Sequence, residues 1–138
     1  SQGSDVALLS FGAHLSECTK AAEGLAAHGI SCTVADARFA KPLDHDLIRQ
    51  LASNHRALIT IEQGSEGGFG AMVLHYLANS GLCDGKLAVR TMTLPDRFID
   101  QASPAAMYAD AGLTGVDIAA TAMQAIGKSI VNLNNYDI

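Results

Sequence analysis

No run of lysine or arginine occurs anywhere in the 138 residues, and the formal net charge is −5. A basic face for nucleic acid is therefore excluded, since phosphate contacts need clustered cations. No apolar stretch reaches the roughly 18 residues needed to span a bilayer. The opening Ser1-Gln2-Gly3-Ser4-Asp5 has neither the charged start nor the apolar core of a signal peptide. Tryptophan is absent, and aromatic residues make up only 5%. Cysteine is scarce and odd in number: Cys18, Cys32 and Cys83, with no CxxC and no metal-ligand spacing. That usage predicts reduced, mostly buried thiols and a cytoplasmic protein. The five histidines (His14, His28, His45, His55, His75) form no HExxH motif. No G-x-S-x-G elbow, G-x-G-x-x-G fingerprint or P-loop is present, so nucleophilic catalysis and nucleotide binding have no motif to stand on.

What is present is a globular pattern. Hydrophobic residues account for 49% and charged residues for 17%, a balance that excludes disorder. The length suits one domain. Short apolar runs at Val6–Ser10, Ser31–Asp36, Ala57–Ile61 and Leu87–Leu94 predict strands buried on both faces. Between them lie helical stripes. Leu15, Cys18, Ala22, Leu25 and Ala26 end at Gly29, and Leu47, Ile48, Leu51 and Ala52 follow Asp44 as N-cap. Phe69, Met72, Val73, Tyr76 and Leu77 end at Gly81. Ser103-Pro104 predicts a short helix closed by Gly112. Thr114-x-x-Asp117 predicts a capping box before Val116, Ala119, Ala122, Met123 and Ile126, with Gly127 as the stop. Alternating strands and helices predict a mostly parallel sheet with helices on both faces. Residues 1–127 are assigned to the domain, and 128–138 to an asparagine-rich, loosely held tail. The first strand comes so early that the chain reads as a domain cut from something larger.

In an open parallel sheet, sites gather beyond the carboxyl ends of the strands. Three loops stand there. Asp36 to Asp44 concentrates charge, and Arg38 or Lys41 is chemically able to hold a phosphate or carboxylate. Glu62 to Gly70 is glycine-rich, but its two glutamates make a poor phosphate cradle; tight packing against another domain is the competing reading. Leu94 to Asp100 places Phe98 and Ile99 beside Asp96 and Arg97, a composition suited to a contact surface. Glu62 and His75 have the chemistry of an acid–base pair, yet thirteen residues of turn and helix separate them, which argues against it. The interface candidates are Glu62, Gly67, Gly68, Asp96, Arg97, Phe98 and Ile99.

Three segments together carry a resemblance: Val34–Asp44 (VADARFAKPLD), Ile61–Gly70 (IEQGSEGGFG) and Leu94–Pro104 (LPDRFIDQASP), the last continued by Met107-Tyr108 and Ala111-Gly112-Leu113. With the opening Leu8–Gly12, their order and spacing resemble the third domain of the 1-deoxy-D-xylulose-5-phosphate synthase family from about Asp5 to Gly127. Gln63 stands where that family's pattern has a second glutamate.

The resemblance implies a transketolase carboxy-terminal fold, a three-layer α/β/α sandwich on a mixed sheet of about five strands, one antiparallel. It implies a transferase that condenses pyruvate with glyceraldehyde 3-phosphate for isoprenoid precursors. Its product also feeds thiamine synthesis in many bacteria. Thiamine diphosphate and magnesium serve the full-length enzyme. The family's metal–diphosphate signature begins Gly-Asp-Gly and ends in paired asparagines; Asn134-Asn135 has no such partner. No catalytic, cofactor-binding or metal-binding residue is therefore assigned here. The expected partners are the remaining domains and a second subunit of a homodimer, with no nucleic acid and no membrane. The alternatives are the matching domain of another thiamine enzyme (a transketolase or 2-oxo-acid dehydrogenase) and a stand-alone α/β binding module.

Overall fold

The computed structural model describes residues 5–11, 15–37, 42–63, 68–94 and 115–127. Four strands and four helices occur among them: β1 (Val6–Ser10), α1 (Leu15–Ala27), β2 (Cys32–Asp36), α2 (His45–Asn54), β3 (Ala57–Gln63), α3 (Phe69–Asn79), β4 (Ala88–Leu94) and α4 (Gly115–Ala125). The strands form one parallel sheet in the order β2-β1-β3-β4. β1 is central, with Leu8 opposite Val34 on one side and Ile59 on the other. All five of its residues are buried, which is why its run is apolar without alternation.

Strand order also sets the layers. The step from β1 to β2 moves one way across the sheet, while β2 to β3 and β3 to β4 move the other way. Right-handed crossovers must then put α1 on one face and both α2 and α3 on the opposite face. The cores agree. Val6, Leu8, Ile59 and Ile61 pack with Cys18 and Leu25 of α1 and with Ile118 and Ala122 of α4. Ala7, Leu9 and Leu58 pack with Ile48 and Leu51 of α2 and with Val73 and Leu77 of α3. The result is the expected α/β/α sandwich. Each fully buried Leu or Ile contributes about 1.5–3 kcal/mol from removal of its surface from water.

The local signals fall where expected. Asp44 accepts a hydrogen bond from the Leu47 amide at 3.1 Å, the N-cap of α2. Gly29, Gly81 and Gly127 have φ of 77°, 77° and 86°, the left-handed region that a Cβ disfavours, directly after α1, α3 and α4. Two helical stripes are corrected. Leu15 and Ala26 of α1 are exposed and Ala21 is buried instead. Val116 of α4 is 75% exposed, and the buried face runs through Ile118, Ala119, Ala122 and Met123. Both shifts arise because α1 and α4 pack on each other as well as on the sheet. Gly115 touches α1 so closely that a Cβ there would stand 2.9 Å from Lys20 Cβ. Its amide donates to Glu17 Oε1 at 2.8 Å. The helix predicted over 103–112, the Thr114 cap, the tail 128–138 and any fifth, antiparallel strand lie outside the described residues.

Candidate functional site

β3 and β4 are parallel and in register to Gln63–Leu94. The chain therefore leaves both strands at the same end of the sheet, and the two candidate loops start there side by side. β1 and β3 diverge at this end into crossovers on opposite faces, which makes it the topological switch point of the sheet.

Glu62 sits at the centre of this end and is only 4% exposed. Its carboxylate accepts hydrogen bonds from the Phe69 amide (Oε1, 2.9 Å) and the Gly70 amide (Oε2, 2.5 Å). These are amides of the first turn of α3, which no helical carbonyl satisfies. A buried anion on the positive end of a helix is stabilised both by charge-assisted bonds and by the helix dipole. Gly68, exposed with φ 92°, supplies the left-handed turn into the helix, and its carbonyl accepts from the Met72 amide at 2.8 Å. Gly70 follows for a different reason: an added Cβ would lie 2.7 Å from Glu62 Oε2, 3.0 Å from Thr60 Oγ1 and 3.0 Å from Thr91 Cγ2. The helix start is therefore pressed directly onto β3 and β4. Phe11, beyond the end of β1, stacks on Phe69 with ring centroids 4.8 Å apart.

The position where a phosphate would meet the start of α3 is already held by the protein's own carboxylate. His75 is exposed and shares a 2.8 Å hydrogen bond with Asn79, while Glu62 is turned inward; the two do not form a pair. Of the other interface candidates, Gly67, Asp96, Arg97, Phe98 and Ile99 lie outside the described residues, as do Arg38 and Lys41. Two hydroxyls, Ser10 Oγ and Thr60 Oγ1, are buried without a well-formed hydrogen bond among the described residues. Ser10 neighbours the Cys18 thiol, a weak donor. Burial pushes that thiol up to about 11, with the Ser10 hydroxyl opposing part of the rise. Burial likewise raises Cys32 to about 12. Neither is a ready nucleophile. Among the described residues no three His, Cys, Asp or Glu side chains gather as a metal set.

The sequence contained no signal that Glu62 and Gly70 form one unit, because the carboxylate belongs to a strand and its partners to the next helix. The Glu-x₇-Gly spacing acquires meaning only once the strand-to-helix turn is known.

Comparison with known proteins places this geometry. The family described as transketolase, C-terminal domain, matches residues 1–118. A protein named 1-deoxy-D-xylulose-5-phosphate synthase 2 from Jannaschia sp. (strain CCS1) is 64% identical over 129 residues, covering 94% of this chain and 20% of that protein. A 1-deoxy-D-xylulose-5-phosphate synthase from Rhodobacter capsulatus is 62% identical over 128 residues, covering 93% and 20%. A solved structure described as a split gene transketolase, inactive beta4 tetramer, superposes with a TM-score of 0.73 at 26% identity, over 91% of this chain and 40% of that one. The chain thus spans about a fifth of the length of the curated relatives it matches.

Proposed function

This chain belongs to the transketolase C-terminal domain family, and on that premise we propose that it is the carboxy-terminal domain of a 1-deoxy-D-xylulose-5-phosphate synthase. Identity of 64% and 62% across almost the whole chain, to two proteins of that name, carries the reading. The intact enzyme is a cytoplasmic homodimeric transferase that joins pyruvate to glyceraldehyde 3-phosphate for isoprenoid and thiamine precursors. Residues 1–127 are its domain and 128–138 its tail. Among the described residues no helix is long and apolar enough to cross a membrane.

Thiamine diphosphate, with magnesium, supplies the carbanion chemistry of the intact enzyme when bound. The described residues of this chain do not fit either group. They bring together no cluster of metal-binding side chains, and the amides at the start of α3 are engaged by Glu62. The domain's role is structural: it closes the fold and supports the dimer. The carboxyl end of the sheet meets the rest of the enzyme or its partner subunit, through Glu62, Gly67, Gly68, Asp96, Arg97, Phe98 and Ile99, with the Glu62 carboxylate also holding the first turn of α3.

Isothermal titration of the chain with thiamine diphosphate and magnesium is expected to show no binding heat; saturable one-to-one binding at micromolar affinity would refute the structural role. Phe98→Asp or Ile99→Asp in the full-length enzyme is expected to weaken assembly in analytical ultracentrifugation while the isolated domain stays folded. Unchanged assembly counts against the interface.

A further inference from the structure

Ligands of parallel sheets bind beyond the carboxyl ends of the strands, and at that end of this sheet one position is shaped to receive an anion. The amides of Phe69 and Gly70 meet it from the first turn of α3, a helix of 11 residues. Unpaired first-turn amides and the helix dipole both favour negative charge. A third group converges there. Thr60 Oγ1 is fully buried and has no hydrogen-bond partner among the described residues. Buried hydroxyls are ordinarily bonded, so Thr60 is an unused donor. Its Oγ1 stands 3.0 Å from the point a Gly70 Cβ would occupy, and Glu62 Oε2 stands 2.7 Å from that same point.

The amino end of the sheet offers no equal. A cleft of about 500 Å³ lies there beside Arg56. His55 bonds through its ring nitrogens to the Leu51 carbonyl and Thr33 Oγ1, and Arg56 is held by Asp5 and the Ile126 carbonyl. Both polar groups are therefore engaged within the fold.

At the carboxyl end the occupant is Glu62, which places one oxygen on each amide. Two amides that each meet one oxygen match the fork of a planar carboxylate. Behind it the space is closed, because Thr60 Oγ1 and Thr91 Cγ2 both lie 3.0 Å from the Gly70 Cβ point. A tetrahedral anion such as phosphate or sulfate carries further oxygens that would have to enter this space.

We propose that the start of α3, together with Thr60, is a carboxylate-binding site in its own right, filled in this chain by the Glu62 side chain and selective for planar carboxylates over tetrahedral anions. Site and ligand are separable: once the Glu62 carboxylate is removed, a free small carboxylate takes its place on the same two amides. In the intact chain the tether acts as a high local concentration and keeps outside anions away.

The test is chemical rescue in the 138-residue chain. Glu62→Ala leaves room for a short carboxylate. Acetate at about 0.3 M is expected to raise the Tm of this variant by about 3–6 °C over sodium chloride of equal ionic strength, the mass-action effect of a ligand that binds only the folded state. The response of the wild-type chain to each salt is subtracted, since phosphate and sulfate stabilise folded proteins generally. After subtraction, formate and acetate are expected to stabilise the variant, and phosphate and sulfate are not. In amide NMR spectra, Phe69 and Gly70 of the variant are expected to shift saturably with acetate. Adding Thr60→Val to Glu62→Ala is expected to weaken acetate binding about three- to tenfold. Where Glu62→Ala alone is unfolded in chloride, the same titration is made in a Gly24→Ala background, whose added Cβ meets nothing within 4 Å and whose helix propensity is higher; folding regained in acetate but not in chloride is then the expected result. Equal responses to acetate and phosphate, an acetate response no larger than that of the wild type, or unmoved Phe69 and Gly70 amides overturn the proposal.

Discussion

Glycine to alanine inside a helix ordinarily stabilises a protein, and in this one the same change is expected to act with opposite signs at two positions. Gly24 lies in α1 with nothing within 4 Å of where a Cβ would stand. Gly24→Ala gains helix propensity and loses unfolded-state freedom, a stabilisation of about 0.5–1 kcal/mol. Gly70 lies in α3, where the Cβ would meet Glu62 Oε2 at 2.7 Å with Thr60 and Thr91 at 3.0 Å behind it. The same propensity gain applies there, but two costs exceed it. Overpacking a tight site costs about 1–3 kcal/mol. Displacing the carboxylate weakens a charge-assisted bond to a buried amide, about 1.5–3 kcal/mol. Gly70→Ala is thus expected to destabilise by roughly 2–4 kcal/mol, a fall in Tm on the order of 10 °C for a domain of this size, against a rise of about 2–4 °C for Gly24→Ala. Circular dichroism melts and urea titrations of the two variants give the comparison directly. Coupling through the carboxylate is tested in a Glu62→Ala background, where the penalty of Gly70→Ala should shrink. If Gly70→Ala is neutral or stabilising, α3 does not rest on β3 as described, and the reasoning from Glu62 fails with it.

Three further outcomes are expected. Ser31 backbone bonding, helped by the Ser31 hydroxyl and Arg56 and opposed by desolvation, holds the Asp5 carboxyl below its ordinary 3.8. The stability it contributes is complete above that value and is lost as pH falls through the lowered folded value, because the folded state then takes up the proton the unfolded state has already bound; Asp5→Asn should flatten the acid limb of a stability–pH curve, and an unchanged limb contradicts the pairing. Of the three thiols, the half-buried Cys83 should react with Ellman's reagent in the native protein at pH 8, while Cys18 and Cys32, buried and raised to about 11 and 12, react only after unfolding; fast labelling of all three would show the first core to be open. Gly115→Leu should loosen α4 from α1, since even a Cβ would stand 2.9 Å from Lys20 Cβ, and a cost under about 1 kcal/mol in a urea titration would argue against that close approach.

The elements were legible because each rests on neighbours in sequence. Val6–Ser10 reads as a buried strand from its five residues alone, and the structure places it with those bounds. Asp44, Gly29 and Gly127 mark helix ends through bonds or dihedrals confined to one turn. The stripes of α1 and α4 were less legible: periodicity identifies an apolar face but not what it meets, and the contact between the two helices exposed Leu15 and Val116 while burying Ala21.

Sequence by itself determined that this chain alternates short, doubly buried strands with amphipathic helices, and its loops carried the family resemblance. Local propensity, period and turn chemistry act over a few residues, so they survive in the linear order. Only the tertiary structure decided the sheet order β2-β1-β3-β4, which brings the ends of β3 and β4 together, and only it showed why Glu62 and Gly70 need each other. The cleft beside Arg56 likewise joins residues from three distant stretches of the chain, 52–56, 82–87 and 125–126. Such features depend on contacts between segments far apart in sequence, and their energies do not exist until the sheet has assembled.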